Sequence, residues 1–223
     1  MFSVSPSLLS GDLLNLGAQL DAVRGLDHLH LDIDDGNFVR GISFGMDVVR
    51  AVAARTDIPL DAHLEVLNPC DYVEDLCACG VKRVCAHVEA LNYPSLFLSM
   101  ARRAGAQSCG LAVNLKTPVE TLLAYADQLD YVLFVSVEAD CEGLPFRPGV
   151  LAKIRAARAI LPPRVEIWVD GGVNEKNLES VVSAGADAVV VGRAVFGAPD
   201  PMDAWRRLCR LGQSALERRS NHV

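Results

Sequence analysis

The chain predicts a single (β/α)8 barrel of the TIM type spanning residues 1–223, on three observations. Eight short runs rich in β-branched and aromatic residues alternate with longer stretches of helical periodicity. Its 223 residues approach the ~250 typical of a closed α/β barrel. No glycine-rich G-x-G-x-x-G turn follows the first run, as an open doubly wound sheet for a dinucleotide would carry.

Taken in order, the first strand is expected at 2–5, running into a Ser/Pro turn, with an amphipathic helix at 13–24. A second strand at 28–33 alternates polar and apolar residues and leads to a helix at 47–55. The third pair is 60–64 and 72–79, where Gly80 follows Ala78-Cys79 as a left-handed helix cap. The fourth is 81–87 with 94–104, and the fifth 108–114 with 119–126, where Pro118 suits a first helical turn. The sixth is 131–137 with 150–160, and the seventh 165–170 with 177–184, closed by Gly185. The last is 188–191 with 201–217, opened by Asp200-Pro201. No long linker, low-complexity tract or composition shift divides the chain.

Composition narrows the functional classes. A hydrophobic fraction of 51% supports a large core, and the net charge of -7 disfavours a nucleic-acid or anionic-membrane partner. Basic residues run no further than doublets such as Arg206-Arg207. The N-terminus lacks the basic region of a signal peptide, and no apolar run reaches the ~20 residues that span a bilayer. Seven cysteines, an odd number without zinc-pair spacing, are expected to be reduced and mostly buried in a cytoplasmic protein.

In such barrels the chemistry lies at the C-terminal ends of the strands. Alternation places His30, Asp32 and Asp34 on one face of the second strand, and Asp61, His63 and Glu65 on one face of the third. Asp170 ends the seventh strand before Gly171-Gly172. Two imidazoles and several carboxylates thus converge on one mouth, a donor set that suits Zn, Fe, Mn or Co better than Mg. His30, Asp32, His63 and Asp170 are the expected ligands of a divalent metal.

At these residues the chain resembles the ribulose-phosphate 3-epimerase family along nearly its whole length. Ser5-Pro6-Ser7-Leu8-Leu9-Ser10-Gly11-Asp12 is similar to the family's opening, with Ser7 at its substrate-contacting serine. The run His30-Leu31-Asp32-Ile33-Asp34-Asp35-Gly36-Asn37-Phe38-Val39 resembles H-[VL]-D-[VI]-M-D-G-x-F-V, and Asp61-Ala62-His63-Leu64 resembles D-[VA]-H-L. Asn68-Pro69, Ala112-Val113-Asn114 with Thr117-Pro118, and Val169-Asp170-Gly171-Gly172-Val173 complete the likeness. The resemblance implies a metal-dependent ketose-phosphate 3-epimerase working through an enediolate. Asp32 and Asp170 would be its two acid–base groups on opposite faces of the substrate.

Three departures imply a remodelled substrate pocket. Where the family has methionines above the metal, this chain has Asp34, Glu65 and Val135. The phosphate-cradling P-G-F-G-G-Q loop is replaced by residues 139–144, Ala-Asp-Cys-Glu-Gly-Leu. Residues 37–41, Asn-Phe-Val-Arg-Gly, stand where the family usually has H-F-V-P-N. Gly171, Gly172, Gly192 and Arg193 remain as the expected phosphate contacts, Arg193 as a bidentate partner or else an ordinary solvated surface arginine. Ser7, Asp34 and Glu65 complete the expected substrate contacts.

Three readings follow. The leading one is an epimerase of ribulose 5-phosphate. The second is the same chemistry on a different ketose or ketose phosphate, with ribulose 5-phosphate turned over less well. The third is a non-catalytic sugar-binding barrel, disfavoured because all four metal ligands are kept. The decarboxylases of related barrels carry a lysine in an Asp-x-Lys-x-x-Asp array, and none stands in Asp61-Ala62-His63-Leu64-Glu65. A homo-oligomer acting on a sugar or sugar phosphate, with no nucleic-acid or membrane partner, is expected.

Overall fold

The computed structural model describes residues 1–138 and 145–221. Eight strands form one sheet in the order β1-β8-β7-β6-β5-β4-β3-β2, and every pair is parallel. They are β1 Ser3–Pro6, β2 Leu29–Asp34, β3 Leu60–Glu65, β4 Arg83–His87, β5 Ser108–Val113, β6 Tyr131–Val135, β7 Glu166–Asp170 and β8 Ala188–Val191. A parallel bridge between Ser7 and His30 joins β1 to β2 and brings the sheet round into a barrel. Each strand lies within two residues of its expected bounds.

The helices are α1 Leu16–Ala22, α2 Met46–Arg55, α3 Val73–Ala78, α4 Pro94–Ala104, α5 Val150–Ile160, α6 Leu178–Ala184, α7 Arg193–Phe196 and α8 Pro201–Ser220. Two expectations need correction. The stretch expected as a helix at 119–126 is a 3₁₀ helix, Val119–Tyr125. Its buried residues Val119 and Leu122 are three apart, the spacing that a three-residue turn brings onto one side. The helix expected at 13–24 starts instead as a 3₁₀ turn, Leu13–Asn15, where the Asp12 carboxylate accepts from Leu14 N–H. The short α7 has no counterpart in the sequence reading. Glycine caps stand as expected, with φ +91° at Gly80 and +127° at Gly185.

Strand alternation sorts side chains into two cores. Leu31, Ile33, Leu64, Leu111, Phe134 and Val169 pack outward beneath the helices. Cys85, Ala112, Tyr131, Leu133, Trp168, Ala188 and Val190 fill the barrel interior. The Arg83 guanidinium lies over Trp168 and Tyr131, 4.5 and 5.6 Å from the ring centroids. Arg83 apart, the inward polar residues collect toward the C-terminal ends of the strands.

Candidate active site and metal centre

Register, rather than any local turn, assembles the site. In the β2–β3 ladder His30 stands opposite Asp61, and Asp32 opposite His63. At the C-terminal end of β7, Asp170 faces the same space. His30 Nε2 lies 3.1 Å from Asp32 Oδ1, and His63 Nδ1 lies 3.4 Å from that oxygen and 3.9 Å from Asp170 Oδ2. One ligand atom from each of His30, Asp32, His63 and Asp170 can be chosen so that all lie within 4.8 Å of one another. The four predicted metal ligands are therefore brought together.

The cluster has a supporting layer. His30 Nδ1 donates to Asp61 Oδ1, and Asp61 Oδ2 accepts from Ser5 Oγ at 2.6 Å. With a cation bound, that would leave His30 Nε2 as the lone-pair nitrogen facing the cluster, the usual carboxylate–imidazole arrangement behind a metal. Ser7 Oγ donates to Asp32 Oδ2 at 2.5 Å, and Gly171 N–H donates to Asp170 Oδ1 at 2.6 Å. Neither nitrogen of His63 has a hydrogen-bond partner, although the ring is fully buried. A buried imidazole left bare is costly. Ligands bonded to one ion at ~2.0–2.2 Å are at most about 4.4 Å apart, so the measured separations and the mixed N/O donor set fit a divalent metal.

The carboxylates are not equivalent. Burial works to raise the Asp32 carboxyl, but the His30 and His63 imidazoles outweigh it and hold it well below the ordinary range. Burial and the Asp32 charge push Asp170 up to about 6, against the pull of His30 and His63. Burial, Glu65 and Asp32 act together on Asp34 and push it up to about 8. Burial opposes the ionised His30, yet Asp32 and Asp61 raise it well above the ordinary histidine range.

Above the cluster opens a cavity of about 410 Å³. Ser7, Asp34, Glu65, Gly171, Gly172, Gly192 and Arg193 all line it, so every predicted substrate contact faces one space. Val135, Val39 and Gly41 are also on its wall. Gly171 and Gly172 have φ of +97° and +65°. A Cβ on Gly172 would stand 2.8 Å from the Phe146 amide nitrogen, so the loop after β7 closes only with glycine there. The replaced loop 139–144 lies outside the described residues.

Sequence reasoning passed over His87. It ends β4, and its ring centroid is 4.9 Å from that of His63. Its Nε2 is 3.2 Å from Glu65 Oε1 and its Nδ1 3.2 Å from Glu89 Oε2. Being polar and last in its strand, it meets the rule that marked His30 and His63. Asp61 had been placed on the inward face, but its partnership with His30 depends on the inter-strand register.

Residues 3–196 match the Ribulose-phosphate 3 epimerase family. The chain belongs to the ribulose-phosphate 3-epimerase family. It is 37% identical over 215 residues to the ribulose-phosphate 3-epimerase of Mycobacterium tuberculosis, covering 95% of this chain and 93% of that protein. The Synechocystis ribulose-phosphate 3-epimerase is 38% identical over 207 residues, covering 90% of each chain. That of Aquifex aeolicus is 35% identical over 221 residues, covering 96% of this chain and 98% of its own. Among solved structures, orotidine 5'-phosphate decarboxylase from Pyrococcus horikoshii superposes with a TM-score of 0.69 at 15% identity, covering 94% and 99%. A tryptophan synthase α-subunit from Pyrococcus furiosus superposes at 0.66 and 20% identity, covering 97% and 100%. At those identities the structures show the barrel fold alone. Among the described residues no helix is long and apolar enough to cross a membrane.

Proposed function

We propose that the barrel spanning residues 1–223 epimerises ribulose 5-phosphate at carbon 3, with His30, Asp32, His63 and Asp170 as metal ligands and Asp32 and Asp170 as the acid–base pair. The observation that carries this reading is the pair of carboxylates. They come from β2 and β7, three places apart around the barrel, and converge beside two buried imidazoles. Family membership supports this reading over an altered ketose or a non-catalytic barrel.

The two acids are set apart by their surroundings. The imidazoles hold Asp32 low while burial and the Asp32 charge raise Asp170, and one side chain of the pair accepts the proton on carbon 3 while the other delivers one. Delivery to the opposite face inverts the carbon, and the reverse reaction exchanges the roles. Ser7 and the Gly171 amide each fix one oxygen of their carboxylate, which holds the pair in position between turnovers. A divalent ion held by the four ligands, Zn, Fe, Mn or Co by its donor set, supplies Lewis-acid neutralisation of the charge gathering on the substrate oxygens. The phosphate lies against the loops after β7 and β8, where Gly171, Gly172 and Gly192 admit close backbone approach and Arg193 offers a guanidinium fork. Asp34 and Glu65 face the sugar hydroxyls. The enzyme works in the cytoplasm as a homo-oligomer, without a nucleic-acid partner.

The test is deuterium incorporation at carbon 3 of ribulose 5-phosphate in deuterated water, with Asp32→Asn and Asp170→Asn beside the unaltered protein. Losing a general acid–base group costs about 10²–10⁴-fold, so exchange should fall by that much in each folded variant. Near-normal exchange in both would place the acids elsewhere.

A further inference from the structure

We propose that a second divalent cation binds beside the first, held by Glu65, His87 and the Nε2 of His63, whose Nδ1 faces the first site and whose ring proton is released on binding. His63, Glu65 and His87 each present a ligand atom within 4.8 Å of the others. The geometry repeats the first site's pattern one strand further round. There His30 gives Nδ1 to Asp61 and stands with Nε2 3.1 Å from Asp32. Here His87 gives Nδ1 to Glu89 at 3.2 Å and stands with Nε2 3.2 Å from Glu65 Oε1. In both, an outer carboxylate fixes the ring and leaves the inner nitrogen free to ligate. Glu89 is itself held, accepting from Thr117 Oγ1 and from Asn114 N–H at 2.9 Å. A separation of about 3–3.5 Å between neighbouring donors is what ligands bonded at ~2.1 Å to one ion require.

A further observation points to a cation. His63 is fully buried with its Nε2 unpartnered and 3.8 Å from Glu65 Oε1, so the ring separates two groups of carboxylates. The charge balance agrees. Among the described residues the cavity wall carries five carboxylates, Asp32, Asp34, Glu65, Glu138 and Asp170, against one guanidinium, Arg193. Even with Asp34 protonated, a single divalent ion leaves that wall net negative before an anionic sugar phosphate arrives. A second ion offsets the excess and gives Glu65 a counter-charge among the buried imidazoles.

The proposal rests on the first metal site only for the expected count of ions, which the following experiment separates. Metal-free protein is dialysed against Mn²⁺, bound ions per chain are counted, and Co²⁺ absorption reports each site's ligand field. The unaltered protein should hold two ions per chain. Glu65→Met and His87→Gln, each checked for folding by circular dichroism, should hold one, and Asp170→Asn should keep the ion at the second site. Either ligand variant suffices should the other misfold. One ion in the unaltered protein that survives Glu65→Met and His87→Gln overturns the second site and leaves the proposed function standing. One ion that survives Asp170→Asn but is lost in Glu65→Met keeps the second site and removes the first assignment. No bound ion in any protein overturns both.

Discussion

Asp34 shows how a single residue can strain the site that contains it. Burial, Glu65 and Asp32 all favour its protonated form, so the folded carboxyl is pushed up to about 8 from 3.8. Between those values the folded chain holds a proton that the unfolded chain has released. More protons bound in the folded state means that stability falls as pH rises through this window. Asp34→Asn removes the effect. In chelator-treated protein its melting temperature should exceed that of the unaltered chain at pH 8, and the gain should shrink towards pH 5. Each kcal/mol relieved is worth about 2–4 °C at this chain length. Equal increments at both pH values would show that Asp34 does not titrate in this way. The sequence made part of this legible. Strand parity put Asp34 inside beside Asp32, and Glu65 inside beside His63. Parity does not say which inward group faces which, so the pairing of His30 with Asp61 and of His87 with Glu65 waited on the register between strands.

At the scale of elements, the eight strands were legible because period-two patterns and glycine or proline punctuation agree at almost every joint. The misses have local causes. The Val119–Tyr125 helix buries residues three apart, and in so short a stretch that pattern is hard to tell from an α-helical face. The four-residue α7 is too short to show a period at all. Interior packing was the least legible, because it depends on neighbours across the ladder. Gly110 on β5 pairs in register with Tyr131 on β6. A Cβ there would lie 2.7 Å from both the Tyr131 carbonyl oxygen and its ring. Glycine is needed so that the large Tyr131 ring can fill the barrel beside Trp168, whose centroid is 5.6 Å away. Gly110→Ala should therefore destabilise the folded protein by roughly 1–3 kcal/mol, the usual cost of overpacking. An unchanged melting temperature in calorimetry would mean that the ring moves aside freely.

At the scale of the whole molecule, the candidate metal ligands tie together parts of the chain that are far apart. His30 and Asp32 lie on β2, His63 on β3 and Asp170 on β7, with the β1–β2 junction between them closed by the isolated Ser7–His30 bridge and the Ser7–Asp32 hydrogen bond rather than by a full ladder. A cation shared by these strands would hold the first third of the chain to the last at the seam where the sheet is joined. The unfolded chain cannot offer the four groups together, so binding favours the folded state alone. At a free metal concentration a hundred times the dissociation constant, this linkage contributes about 2.7 kcal/mol. For a chain of this length that corresponds to roughly 5–11 °C. Chelation should therefore lower the melting temperature of the whole barrel by about that amount, as one cooperative transition. Restoring Mn²⁺ should recover it. Asp170→Asn should lose the first ion's share of the increment, because β7 is no longer tied to β2 and β3, and keep the share of an ion held by Glu65 and His87. Identical melting with chelator and with excess metal would show that no cation joins these strands. The decisive comparison is Asp170→Asn with and without metal. A full metal-dependent increment in that variant would place the stabilising ion away from β7 and leave Asp170 to act on the substrate alone.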